Sequence, residues 1–147
     1  MSAIVSSIDI ARPAADVFSY VTDPSHFAEW QANVVSGRLV SEGPASVGTE
    51  CVTTRRIGGS NRTSTSEITA IDPPTYWADH GIDGPIRAIV NVGVESPEVD
   101  RARVTISLDF EGHGIGTLLV PLVVRRQAAR ELPANMHRLK ERLEQTA

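Results

Sequence analysis

The order of hydropathy periods along this chain admits few folds. Ala3 to Ile10 alternates, with Ile4, Ser6, Ile8 and Ile10 on one side, the period of a half-buried strand. Two short helical patterns follow: Pro13 suits a first helical turn, Val17, Phe18 and Val21 supply an apolar face, and Asp23-Pro24 ends that helix and caps a second one carrying Phe27 and Trp30. Everything from Val34 to Glu111 reads as strands, and only from about Gly114 to Glu144 does the period change back to steps of three and four. Strand, two short helices, a run of strands and one closing helix predict an α+β domain in which a sheet wraps around a helix and can leave a cavity between them.

Turn signals divide the strand region. Glu42 to Gly48, Gly58 to Asn61, Asp72-Pro73-Pro74, Gly81 to Pro85 and Ser96-Pro97-Glu98 separate six strands near 34 to 41, 49 to 57, 62 to 71, 75 to 81, 86 to 95 and 101 to 111, seven with the first. Val104, Ile106, Leu108 and Phe110 share one face and Arg103, Thr105, Ser107 and Asp109 the other; Ala88, Val90, Val92 and Val94 repeat the pattern. On the last segment Ile115, Leu118, Leu119, Leu122, Ala129, Leu132, Met136, Leu139 and Leu143 predict one inward face. Pro133 predicts a kink or a break, and Gly112, Gly114 and Gly116 a pliable start.

At 147 residues and 41% hydrophobic content the chain suits a single domain over residues 1–147. No stretch approaches the roughly 18 apolar residues a membrane span needs, and the start lacks a leader pattern, so a cytoplasmic protein without a membrane span is expected. The net charge of -4 argues against nucleic acid as partner. The segment from Arg125 to Glu144 is nevertheless basic, with Arg125, Arg126, Arg130, Arg138, Lys140 and Arg142 against Glu131, Glu141 and Glu144. Cys51 stands alone and reads as a small buried hydrophobe. His26, His80, His113 and His137 lie far apart, so neither a metal nor any other cofactor is expected.

The element order, together with Ile10-Ala11-Arg12-Pro13-Ala14-Ala15-Asp16-Val17-Phe18, Asp23-Pro24 before Trp30, Ile71-Asp72-Pro73-Pro74 and Leu139-Lys140-Glu141-Arg142-Leu143-Glu144, resembles the START-like or Bet v 1-like superfamily, and within it the bacterial polyketide cyclase/dehydrase and lipid-transport group. The resemblance covers essentially the whole chain and implies a helix-grip fold: a seven-stranded curved antiparallel sheet, two short helices after its first strand, and a long C-terminal helix. It further implies a hydrophobic small molecule, polyketide-like, aromatic or lipid, held between sheet and helix. Such a protein either carries its ligand or catalyses cofactor-free cyclisation or dehydration; a third reading is a macromolecule-interaction module using the basic last helix. Monomer and homodimer both remain open.

With even-numbered residues turned inward in the fifth strand as in the sixth, Tyr76 and His80 face the ligand, His80 as general acid or base and Tyr76 to orient a carbonyl. A register change at the Gly81 to Pro85 turn would instead turn Trp77 and Asp79 inward. Trp30, Val90, Val92, Leu108, Phe110, Leu119 and Leu122 complete the expected lining. Arg55, Arg56, Arg125 and Arg126 either form surface salt bridges or neutralise a carboxylate or a developing enolate.

Overall fold

A computed structural model describes residues 3–57 and 59–145. The elements run β1 (Ile4–Ile10), α1 (Ala14–Val21), a 3-10 turn (Pro24–His26), α2 (Phe27–Trp30), β2 (Val34–Leu39), β3 (Glu50–Ile57), β4 (Ser60–Asp72), β5 (Tyr76–Gly81), β6 (Ile86–Glu98), β7 (Arg101–Gly112), α3 (Gly116–Leu119), a π-helical turn (Val120–Val124) and α4 (Arg125–Gln145). The strands form one antiparallel curved sheet in the order β1-β7-β6-β5-β4-β3-β2. Consecutive strands β1 and β2 thus stand at opposite edges, and α1 and α2 carry the chain from one edge to the other. With α4 this is the expected helix-grip architecture.

The inner face follows from the register. Ile4, Ser6, Ile8 and Ile10 pair with Leu108, Ile106, Val104 and Ala102, which lie beside Val90, Val92 and Val94 of β6. Against this face pack Val17, Phe18 and Val21 of α1, Phe27 and Trp30 of α2, and Leu132, Met136, Leu139 and Leu143 of α4, forming one dry core. The elbow is pinned locally, since the Asp23 side chain accepts hydrogen bonds from the Ser25 backbone N–H and hydroxyl. It is also pinned to α4, where Arg138 Nη1 donates to the Trp30 carbonyl at 3.2 Å and Ala32 N–H donates to Asn135 Oδ1 at 3.3 Å. Where Gly37 crosses the 3-10 turn, a Cβ would stand 2.6 Å from the Pro24 carbonyl oxygen, so only glycine fits.

Two features of the last segment differ from the sequence expectation. Helix α4 runs through Pro133 unbroken, and the irregularity falls instead at Val120–Val124, where Pro121 stands in a π turn. The inward set begins at Gly116 and Val120, passes through half-buried Val124 and Ala128, and continues to Leu132 and Met136. A spacing of four drifts steadily around a 3.6-residue helix, and the wider i→i+5 turn absorbs that drift. Consequently Ile115, Leu118 and Leu122 are 64–66% exposed, Ala129 is exposed, and Leu119 is half-buried. At the start of this segment the chain passes close to the preceding turn: a Cβ on Gly116 would lie 1.8 Å from the Pro85 carbonyl oxygen.

Candidate functional site

The inner wall changes character along the strands. Ala102, Val104, Ile106, Val92, Val94, Trp77, Ile68 and Cys51 are sealed under α1, α2 and α4. Further along, Val90, Ala88, Leu108 and Phe110 are only half-buried, although they project from the inner face of central strands. A side chain so placed meets solvent on the concave side, so the inner face is only partly covered here, a shallow groove beside the start of the last helix, where Leu119 is also half-buried. Shallow hollows of about 100 and 210 Å³ at the β2–β3 edge are smaller than a ligand pocket; the first is lined by Ser36, Arg38, Val52 and Thr54, which point away from the core.

Strand β5 has the opposite phase from the one expected. Trp77 pairs with Val92 and Asp79 with Val90, which turns odd-numbered residues of β5 inward and places Tyr76 and His80 on the outer face. Four residues, Ile82 to Pro85, separate β5 from β6, and an even-membered connection always pairs an odd position with an even one. On the outside Tyr76 donates its hydroxyl hydrogen to Asn91 Oδ1, and His80 Nε2 lies 2.7 Å from Glu111 Oε1. Of the expected lining, Val90, Leu108 and Phe110 share the groove. Val92 and Trp30 belong to the sealed core, and Leu122 points to solvent because of the π turn.

The groove has instead a polar floor built by β3, β4 and β5. Arg55 follows Cys51 and Thr53 at alternate positions of β3 and so shares their inward face. Its Nη1 donates to Gln31 Oε1 at 3.0 Å and Asn33 Oδ1 at 3.2 Å, both just beyond α2. Asp79, 7% exposed, accepts a hydrogen bond from the Ser66 hydroxyl at 2.9 Å through Oδ2. Burial pushes the Asp79 carboxyl up to about 6, opposed by the Ser66 hydrogen bond and by the charges of Arg55 and His80. The same burial, reinforced by the Asp79 charge, raises the Cys51 thiol to about 11, so Cys51 is an inert neutral wall. For Arg55 burial works against the charge, and Asp79 and Glu131 work for it from a distance.

Several atoms of this floor lack protein partners. In the sealed core nearby, Trp30 Nε1 is, among the described residues, the sole fully buried side-chain nitrogen or oxygen without a hydrogen bond. Among the described residues Arg55 Nε and Nη2 and Asp79 Oδ1 likewise make none, and they are not fully sealed. Because Asp79 pairs with Val90 of the apolar wall, these donors and one acceptor are an arrangement suited to orienting the oxygen function of an otherwise hydrophobic molecule. Arg125, by contrast, forms an ion pair with Asp109 at 2.7 Å, and Arg56 is exposed. Among the described residues no group of three or more His, Cys, Asp or Glu is placed to hold a metal ion, and no helix is long and apolar enough to cross a membrane.

Residues 1–144 match the family described as polyketide cyclase / dehydrase and lipid transport. No curated protein matches the sequence. Similar solved structures include a START superfamily protein from Mycobacterium smegmatis, 14% identical, with all of both chains covered and a TM-score of 0.80. The Zhui aromatase/cyclase of a Streptomyces species is 15% identical over 97% of this chain and 93% of its own, with a TM-score of 0.79. A Thermus thermophilus protein is 18% identical over 99% of both chains, with a TM-score of 0.77. At such identities these likenesses speak for the fold alone.

Proposed function

This chain belongs to the polyketide cyclase/dehydrase and lipid-transport family, and on that premise we propose that it binds a hydrophobic small molecule, polyketide-like, aromatic or lipid, in the groove between the sheet and its last helix. The observation that carries the reading is the half-buried wall of Val90, Leu108 and Phe110 ending on the unpartnered polar atoms of Arg55 and Asp79. A sealed core would bury the first group and satisfy the second. The apolar wall supplies affinity through burial, about 25 cal/mol for each Å² removed from water, while the floor fixes the orientation.

A second reading, cofactor-free cyclisation or dehydration, draws on the inward placement of the Asp79 carboxyl, which burial pushes up to about 6. Such a group exchanges protons with a carbon acid or a leaving hydroxyl beside a polarised carbonyl. His80 and Tyr76, on the opposite face, would meet only a ligand bound outside the groove, so in this reading the proton-transfer role passes to Asp79. Interaction through the basic last helix draws less support, because Arg138 and Lys140 donate to the Trp30 and Asp9 carbonyls of their own chain.

Native mass spectrometry of the protein purified from its own host, with extraction of whatever it releases, tests the reading. An apolar compound of defined mass, bound one per chain and displaced by a polarity-sensitive dye, is the expected result. Repeatedly empty protein that also fails to bind the dye would overturn it.

A further inference from the structure

The chemistry of the groove floor narrows the ligand further. Arg55 is oriented by two neutral amide oxygens that occupy a single nitrogen, Nη1, and among the described residues no carboxylate lies within ion-pair distance of its guanidinium. A half-buried cation held without a contacting anion is uncommon, because desolvation of the charge is compensated only by close, hydrogen-bonded partners. The edge left over, Nε with Nη2, is the one that matches the two oxygens of a carboxylate as a fork. A neutral carbonyl would supply one oxygen and no charge. Apolar Val90, Leu108 and Phe110 continue the wall where a hydrocarbon body would lie.

We propose that the ligand is an apolar carboxylic acid whose carboxylate seats on the Nε–Nη2 edge of Arg55, with Asp79 as its ionisable neighbour on the same floor. The assignment rests on the groove being the binding site and adds the class of its occupant. It has a consequence for protons. The groups that act on Asp79 are Ser66 from β4, Arg55 from β3 and His80 on its own strand; Asp79 in turn raises Cys51 of β3, and Glu131 of α4 acts on Arg55. A carboxylate arriving beside them makes Asp79 hold its proton more strongly, so binding takes up a proton whenever Asp79 was ionised beforehand. Affinity then rises as the pH falls toward the free-state value of about 6, levels off, and is lost once the ligand's own carboxyl protonates.

Calorimetric titration of the whole protein with decanoate, methyl decanoate and decanol tests this. Decanoate should bind at least about tenfold more tightly than the ester or the alcohol, as expected of a charge-assisted fork. Arg55→Met should erase that margin. In the wild type the affinity for decanoate should increase several-fold between about pH 7.5 and about pH 6, and in Asp79→Asn it should not. If ester and alcohol match the acid, or if the acid's margin survives in Arg55→Met, the carboxylate assignment is wrong while the groove reading stands. A margin indifferent to pH removes Asp79 from the site. If none of the three binds, the groove reading itself fails. Should Arg55→Met not fold, the comparison of the three ligands in the wild type and the Asp79→Asn titration still decide.

Discussion

Replacing Asp79 by Asn should stabilise the folded protein above neutral pH and lose that benefit in acid. The folded carboxyl titrates near about 6 and the unfolded one near 3.8, so the native state is the tighter proton binder. Between those two values the native state holds a proton that the unfolded state has released, and stability therefore falls as the pH rises through this window and stays reduced above it. A difference of about two units is worth about 3 kcal/mol at most. Asparagine keeps an oxygen to accept the Ser66 hydroxyl but adds an amide that needs partners, so the expected gain is about 1 to 3 kcal/mol near pH 8, fading toward pH 4. Urea denaturation of both forms at the two pH values measures it. The carboxylates that salt bridges and hydrogen bonds hold low, Asp9, Glu29, Asp109, Glu111 and Glu144, are common to both proteins and cancel in the difference. A stability difference that does not change with pH would refute a buried, desolvated Asp79.

Other expectations follow from the packing and the register. Leu139→Ala removes a fully buried side chain where α4 meets the core and should cost about 2–5 kcal/mol in denaturant unfolding. Gly116→Ala drives a methyl into the Pro85 carbonyl and should cost about 1–3 kcal/mol by overpacking, read as a lowered midpoint with an unchanged m-value. The side chains of His80 and Tyr76 stand on the outer face, so after His80→Ala or Tyr76→Phe the affinity for an uncharged apolar ligand should stay within about twofold of wild type in a dye-displacement titration, well below the tenfold that 1.4 kcal/mol would give.

Much of this fold can be read from alternation alone. Strands β6 and β7, with their strict apolar and polar faces, lie as expected, and the elbow of α1 and α2 follows from Pro13, Asp23-Pro24 and the buried Val17, Phe18 and Val21. Phase between elements is less legible. The direction of Tyr76 and Asp79 depends on whether an odd or an even number of residues connects β5 to β6, and turn composition does not count them. The direction of Leu118 and Leu122 depends on a π turn around Pro121, for which a 3.6-residue period gives no warning. Arg55 carried a usable signal, because a buried Cys51 places residues two and four positions on along the strand on the same face. The usual exposure of arginine argues against reading it so. The polar floor thus arises where side-chain identity and strand parity disagree, which is where functional groups tend to sit.

The measurement closest to the central claim is methyl and side-chain NMR of the labelled protein during titration with decanoate. Binding in the groove predicts shifts at the methyls of Val90, Leu108 and Leu119 and at Arg55 Nε–H, with Val5, Val35 and Val99 unmoved. Shifts confined to the exposed strip of Ile115, Leu118, Leu122 and Val123, with Val90 and Arg55 silent, would contradict a ligand held between sheet and helix.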